Sequence, residues 1–499
     1  MKILGSTLPF GMIVIICLMS SLYCQWAYAV GRETNVPDIQ FQPIFAPKSV
    51  TIGEAVNIAL RNFPTINNRL YKLHAAKANV TLAKTQYLPN LNLDIQESGV
   101  SANRIASVVM NNVSGFDTVP VDSGPPSTHS SLNPIVNDLG GANLNWLIVD
   151  FGLRHANDQF AYADARAARA DLNLTKLDVA FDAADAFLTA VATKQVIRSA
   201  QASLDHMEAA NLRAKTLVSK GLRPGVDAAD WDFEVSRTKI VLIKAEREKR
   251  LALVDLAEKM GMAKSDIDVV SQPLICSPVE DQSQPFGQFD LNSHPYALLK
   301  TAEVARWQAK VKLLDVAYRP HLWLNSGVWG RGSGENSVNP LRAVAGGALP
   351  QVFNYMIGAS FSFPVMEIFP LRAQKKMAYS NEMAAMADYD LAIQILERKD
   401  ARARILLSEA RRVAKETPVL VEAAKVREIK ALKRYSAGLT NMVTVAEAEK
   451  ALAQAEVEDA LAQLEVWRSI LALSYVQGDL KSFLGLVAIA ERNTGNATN

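Results

Sequence analysis

Six histidines, His74, His129, His155, His206, His294 and His321, are the side chains best suited to hold a metal or move a proton in this chain of 499 residues. A metal-binding helix presents its ligands at i, i+4. No two of these histidines stand four apart, so they read as structural or surface groups. Gly330-Arg331-Gly332-Ser333-Gly334 is glycine-rich but lacks the Lys-Ser/Thr of a phosphate loop, and there is no Gly-x-Ser-x-Gly nucleophile elbow. Lys2, an apolar run from Pro9 to Leu22 and Ala27-Tyr28-Ala29 have the pattern of a secretory signal peptide over residues 1–29. Cleavage there removes Cys17 and Cys24 and leaves Cys276 alone, too few for an internal disulfide or a Cys-based zinc site. The expectation is a protein with no catalytic, cofactor or metal site, and not an enzyme. Two acids stand out by position: Asp230 and Glu447 each lie nine residues past a glycine, Gly221 and Gly438, and each of those glycines is followed by leucine, Leu222 and Leu439.

The elements that carry those acids are unusually long. Leu153 to Lys220 is sixty-eight residues without Gly or Pro, Ala- and Leu-rich, which predicts one helix on the order of 100 Å long. Charged residues along it, among them Arg154, Asp164, Arg169 and Asp182, exclude a bilayer span. Leu371 to Ala437 repeats the pattern, broken only by Pro418, where a kink or local unwinding is expected. Shorter helical runs, Thr65 to Leu88 and Val226 to Met260, sum to nearly the length of the first rod and could line it end to end.

The chain is a tandem repeat. A shift of 231 residues superposes Pro64 on Pro295, Tyr87 on Tyr318, Pro89 on Pro320 and Gly99 on Gly330. Beyond the loops a shift of 217 pairs Asp150 with Glu367, Gly221 with Gly438, Asp230 with Glu447 and Gly261 with Gly478. Residues 30–261 form the first repeat, opened by a Thr51-x-x-Glu54 capping box; 262–294 are a Pro- and Gly-bearing connector; 295–485 are the second repeat; 486–499 read as a polar tail.

Each repeat carries two alternating segments: Pro89–Gly99 and Gly141–Val149, then Pro320–Gly330 and Tyr355–Phe363, each long enough to cross a bilayer as a tilted strand. The alternation places Leu91, Leu93, Leu144, Trp146, Leu322, Leu324, Phe361 and Phe363 toward lipid. It turns Asn92, Asp94, Asn143, Asn145, Ser360 and Ser362 toward a lumen. Trp323 and Trp329 join Trp146, Phe353 and Tyr355 as aromatic residues for a headgroup belt. Four strands cannot close a barrel, so membrane insertion requires oligomerisation. Two soluble hairpins capping a helical bundle would show the same alternation. Polar residues 101–140 and 332–353 read as loops at the end opposite the rods.

Charge is nearly balanced, 53 Lys plus Arg against 51 Asp plus Glu, which gives no case for nucleic acid. Thr51-Ile52-Gly53-Glu54-Ala55-Val56, Pro64, Tyr87-Leu88-Pro89-Asn90-Leu91, Asp150-Phe151-Gly152, Gly221-Leu222, Gly438-Leu439 and the duplication itself resemble the TolC-like outer-membrane efflux factors of Gram-negative bacteria. The resemblance implies an α+β membrane protein: a homotrimer with four transmembrane strands per protomer in a twelve-stranded barrel, continued by a long α-helical periplasmic barrel. It implies a passive conduit for small molecules or secreted polypeptide, in multidrug efflux, metal export or type I secretion. An inner-membrane transporter would supply the energy, and a periplasmic adaptor would dock at Gly221, Leu222, Gly438 and Leu439. It implies a periplasmic aperture lined by Asp227, Asp230, Tyr435 and Glu447, with a hydrogen bond from Tyr435, to Asp227 in one version, keeping it shut. Thr444 stands where the family carries another acid, and simple packing of Tyr435 remains the alternative. The competing class is a trimeric periplasmic scaffold or docking protein without a pore.

Overall fold

The computed structural model describes residues 49–101, 134–220, 225–262, 267–271, 274, 290–333, 350 and 352–496. The signal peptide, Gly221, Leu222 and the side chain of Asp227 lie outside the described residues.

A two-residue strand β1 (Ser49–Val50) leads into α1 (Ile52–Asn62). The capping box forms as expected: the Thr51 amide donates to Glu54 Oε2 at 2.9 Å and the Glu54 amide to Thr51 Oγ1 at 3.4 Å. Pro64 then takes the first position of α2 (Pro64–Thr85), where a missing N–H costs nothing. There follow β2 (Asn90–Ser101), β3 (Pro134–Val149), α3 (Leu153–Ser219), α4 (Gly225–Lys259) and β4 (Asp268–Val269). The second repeat supplies α5 (Pro295–Val316), β5 (His321–Ser333), β6 (Val352–Ser362), α6 (Ile368–Ser436) and α7 (Met442–Val476), and α8 (Lys481–Asn496) closes the described chain. Equivalent helices match in length: 22 residues for α2 and α5, 35 for α4 and α7, 67 for α3 against 69 for α6.

Several expectations need correction. Residues 134–140 belong to β3 rather than to a loop, because they pair with Gln96–Ser101 of β2 and Ile95 besides. The connector is tied into the fold: β4 pairs in parallel with β1, and Lys194 of α3 donates to Asp268 Oδ2 at 2.9 Å and to the Val269 carbonyl at 2.8 Å. The polar tail is helical through Asn496, anchored by Phe483, fully buried edge-to-face on Trp467, and by buried Val487.

The four long strands form one antiparallel sheet in the order β2-β3-β5-β6. The helices repeat that order. Beside the sheet, α3 packs on α2 and α5, and α5 on α6; beyond it, α3 packs on α4 and α7, and α7 on α6. Short helices thus line each rod end to end, as their summed lengths suggest. His294 joins the ends, its Nδ1 accepting from the Tyr296 amide at 3.0 Å and its Nε2 lying 3.2 Å from the Tyr475 carbonyl. Burial holds its pKa below the usual histidine range, so it serves as a neutral structural link.

The rod α6 is built on a seven-residue period. Among its buried residues, Ala378, Ala385 and Ala392, then Leu396, Ala403, Ala410, Thr417, Ala424 and Ala431, form a seam that steps by seven except once, by four, between Ala392 and Leu396, with Leu407, Ala414 and Tyr435 buried beside it. Seven-residue spacing keeps one seam facing a supercoiled partner, and a step of four shifts that seam. The shift falls where α6 changes partner: Asp388 reaches Lys300 of α5 at 3.5 Å, whereas Lys399 lies 5.6 Å from the Tyr475 ring of α7.

Pro418 does not unwind α6, which is helical on both sides of it. A proline leaves the carbonyl four residues earlier without its donor. That carbonyl, of Ala414, accepts from Gln463 Nε2 of α7 at 3.2 Å, and Thr417 donates to Asp459 of α7 at 2.6 Å. The neighbouring helix replaces what the proline removes. No helix among the described residues is long and apolar enough to cross a membrane.

Candidate functional site

Register settles which strand residues share a face. Leu91 pairs with Leu144, Trp146 with Leu324, and Leu322 with Phe361, so these residues and Leu93 lie on one face. Phe363 follows the end of β6 and is exposed. That face is the open one: Leu93 is 76% exposed and Tyr355 81%, and Leu91, Ile95, Ile357 and Phe361 are exposed with them. The opposite face carries Asn92, Asp94, Asn143, Asn145, Ser360 and Ser362. On it Asn143 is 3% exposed and donates to Asp94 at 3.0 Å, while Asn325 donates to Ser360 at 2.9 Å.

Trp323 and Trp329 correct the aromatic-belt reading. Trp323 pairs with Ser360 and Trp329 with Gly141 and Asn354, which puts both on the polar face. A Cβ at position 141 would meet the Cβ of Trp329 at 2.7 Å, so Gly141 is what lets this tryptophan sit there. Trp146 is a boundary residue: its indole donates to the Tyr87 carbonyl at 3.0 Å, where strands give way to helices.

That boundary is built from Asp150, whose carboxylate accepts from the Gly152 amide at 3.0 Å and from the Arg154 amide and Nε, both at 2.7 Å. Arg154 also donates to the Ile148 carbonyl at 3.1 Å and lies 4.7 Å from the Tyr87 ring. Arg319 of the second repeat donates to the Phe151 carbonyl at 2.6 Å.

At the far end, α6 stops at Gly438, with φ of 75°. The Gly438 amide bonds to the Tyr435 carbonyl at 3.0 Å and the Leu439 amide to the Arg434 carbonyl at 2.9 Å, the paired bonds of a left-handed glycine cap. Leu439 is 70% exposed, and Asn441 caps α7 through the Thr444 amide at 3.2 Å. Asp230 and Glu447 are exposed on α4 and α7. Tyr435 is buried, its ring edge-to-face on Trp231 of α4 with centroids 6.3 Å apart, so it joins the two hairpins inside one protomer. This cluster gathers Leu204 and Met207 of α3, Trp231 and Val235 of α4, Ala431 of α6 and Met442 and Val445 of α7.

One group here was missed in the sequence. Glu449 of α7 is 5% exposed, and its Oε2 lies 3.4 Å from His206 Nδ1 of α3. Burial, then Glu428 of α6, push its pKa up to about 7 against the pull of His206. The signal was in the repeat. Shifted by 217, Asp232, Asn211 and Lys215 become Glu449, Glu428 and Leu432.

A four-stranded sheet with one apolar open face, carried on two long helical rods, is the architecture that these elements build. The sequence profile of the outer membrane efflux protein family matches residues 55–262, most of the first repeat. The pyoverdine export outer membrane protein OpmQ of Pseudomonas putida is 23% identical over 449 residues, covering 85% of this chain and 84% of that protein. The solved structure of the outer-membrane channel OprN superposes with a TM-score of 0.67 at 16% identity, over 86% of this chain and 89% of that one. The CmeC outer membrane channel of Campylobacter jejuni gives 0.67 at 14% identity, over 86% and 85%. At such identities the structures speak to fold, and the profile speaks to residues 55–262. The first repeat of this chain is thus similar to the outer membrane efflux protein family, and the chain shares the fold of solved outer-membrane channels.

Proposed function

We propose that three copies of this chain close into a conduit that passes small molecules or secreted polypeptide outward. The observation that carries this reading is that every layer of the protomer is open at the same two sides. β2, α2 and α4 form one flank; β6 and α6 form the other. Sheet edges cannot remain unpaired in lipid, so β6 of one copy pairs with β2 of the next and three copies give twelve strands. The flanking helices support the same closure. Val226, Phe233 and Ile240 on α4, and Leu406, Val413 and Leu420 on α6, are exposed apolar residues at seven-residue spacing.

In this assembly Leu91, Leu93, Leu144, Trp146, Leu322, Leu324, Phe361 and Phe363 face lipid. The turn at Gly438-Leu439, with its equivalent at Gly221-Leu222, receives the periplasmic adaptor of an inner-membrane transporter. Leu439 suits that role because its side chain is not spent on its own helix cap. Asp230 and Glu447 from three copies put six carboxylates at one level of the entrance, favouring cations. Similarity to a pyoverdine export protein favours a small-molecule cargo of that kind over a secreted polypeptide.

The test is detergent extraction, gel migration with and without boiling, and conductance in planar bilayers. A heat-modifiable trimer that conducts is expected. Arg at Leu93 should cost about 2–4 kcal/mol if that level lies near the bilayer midplane. A protein released without detergent, unchanged in migration by boiling and silent in bilayers, belongs to the scaffold class instead.

A further inference from the structure

We propose that Glu449, Glu428 and His206 form a proton-operated latch between the two helical hairpins, which holds the entrance shut while Glu449 keeps its proton and loosens it when the proton leaves. This rests on the channel reading above. The geometry is a meeting of four helices: α7 carries the buried Glu449, α3 faces it with His206, α6 with Glu428, and α4 contributes the apolar Trp231 to the same cluster. Glu428 is the acid whose charge, after burial, raises the Glu449 pKa, and two neighbouring carboxylates repel when both are ionised, so the closed arrangement favours a proton on Glu449.

The equivalent place in the first hairpin is wired differently. There Asp232 accepts from Lys215 at 2.6 Å and from Asn211 at 2.8 Å, half in water, and its pKa is lowered by those partners. In the second hairpin the lysine has become Leu432 and the amide Glu428, so the cation is gone and a second acid has arrived. Such an exchange makes a poor ion pair and a workable proton site.

Opening the entrance requires α7 to part from α3, which brings Glu449 into water and returns it to the ordinary carboxylate range. The closed form therefore binds the proton more tightly. Its advantage is complete at acidic pH and is lost as pH rises through about 7. Linkage gives a shift in the open-to-closed ratio of about tenfold per protomer between roughly pH 6 and pH 8.

Single-channel recording of the trimer at those two pH values tests this. The parent should open more at the higher pH by about that factor. Glu449→Gln should stay in the closed distribution at both, and Glu428→Gln should move the transition to lower pH. Asp232→Asn, at the equivalent site of the other hairpin, should keep the parental slope. A Glu449→Gln trimer with the parental slope overturns the latch, as does an unmoved transition in Glu428→Gln should the first variant not assemble. If the parent itself never conducts, the channel reading fails. Hydrogen exchange over residues 442–455 then decides the latch separately: faster at the higher pH in the parent and pH-insensitive in Glu449→Gln supports it, and equal behaviour overturns it.

Discussion

The two rods are one element made twice, and they differ most at their ends. Where α3 leaves the sheet, Asp150 and Arg154 are buried together and tied to Gly152, Ile148 and Tyr87, and Arg319 donates to the Phe151 carbonyl between them. Where α6 leaves it, the equivalents are Glu367, Phe369 and Leu371, no side chain caps the helix, and Val365, Met366 and Phe369 are exposed. At the far end the contrast reverses. The first hairpin has a solvated ion pair, whereas the second has the buried Glu449 beside a half-buried Glu428, a proline inside its rod and the Tyr435 contact. Each repeat is thus specialised at one end, the first where the rod joins the sheet and the second at the far end of the hairpins. The trimer proposed above would present each version three times around its axis, which makes room for this division.

The joint between rod and sheet makes the largest prediction. Asp150→Ala leaves the Arg154 guanidinium buried without its carboxylate and should cost about 3–5 kcal/mol. Glu367→Ala should stay within about 0.5 kcal/mol. Thermal dissociation of the trimer measures both, and equal losses would erase the contrast between the joints. Burial alone would raise the Asp150 pKa, but the hydrogen bonds from Arg154 and Gly152 outweigh it and hold it below the usual range. Its contribution should therefore persist above the ordinary carboxylate range and fade as pH falls through the lowered value.

A smaller effect tests the proline. Gln463→Leu leaves the Ala414 carbonyl without a donor and should cost about 1–3 kcal/mol. Pro418→Ala restores a backbone N–H to that carbonyl, so the double variant should recover most of the loss. The equivalent positions in the first hairpin are Gln201 and Glu246, and Glu246→Leu should cost within about 0.5 kcal/mol. Additive losses at 418 and 463 would mean that the two residues do not share a carbonyl in solution.

The sequence made the architecture legible because its signals were long or doubled. Runs without Gly or Pro fixed the rods to within a few residues, and alternation fixed the strand faces. The errors were of three kinds. Strand ends ran past the alternating core, as at residues 134–140, because backbone pairing continues where side-chain patterning stops. Local unwinding at Pro418, one of the two outcomes expected there, is absent because its remedy, Gln463, lies forty-five residues away on another helix. Trp323 and Trp329 were placed by residue type although their odd positions on β5 already put them opposite Leu322 and Leu324. The acid pair was readable only by aligning the repeats and asking which charges had changed.

Tyr435 gives the smallest effect and the sharpest division between two accounts of the entrance. If its hydroxyl is the latch, Tyr435→Phe removes one hydrogen bond, worth about 0.5–1.5 kcal/mol, and should raise open occupancy by roughly two- to twelve-fold. If its ring is what matters, Phe keeps the edge-to-face contact with Trp231 and changes nothing. Tyr435→Ala would then be the opening variant, since the aromatic pair is worth about 0.5–1.5 kcal/mol beyond the area it buries. Burial of Tyr435 and full burial of Trp231 in a cluster drawn from four helices favour the ring. The expected result is therefore a silent Phe variant and an open Ala variant, in bilayer recordings at the acidic end of the range, where the Glu449 proton holds the background closed. A Phe variant as open as the Ala variant would return the latch to the hydroxyl and make the first hairpin's α4 an acceptor rather than a packing surface.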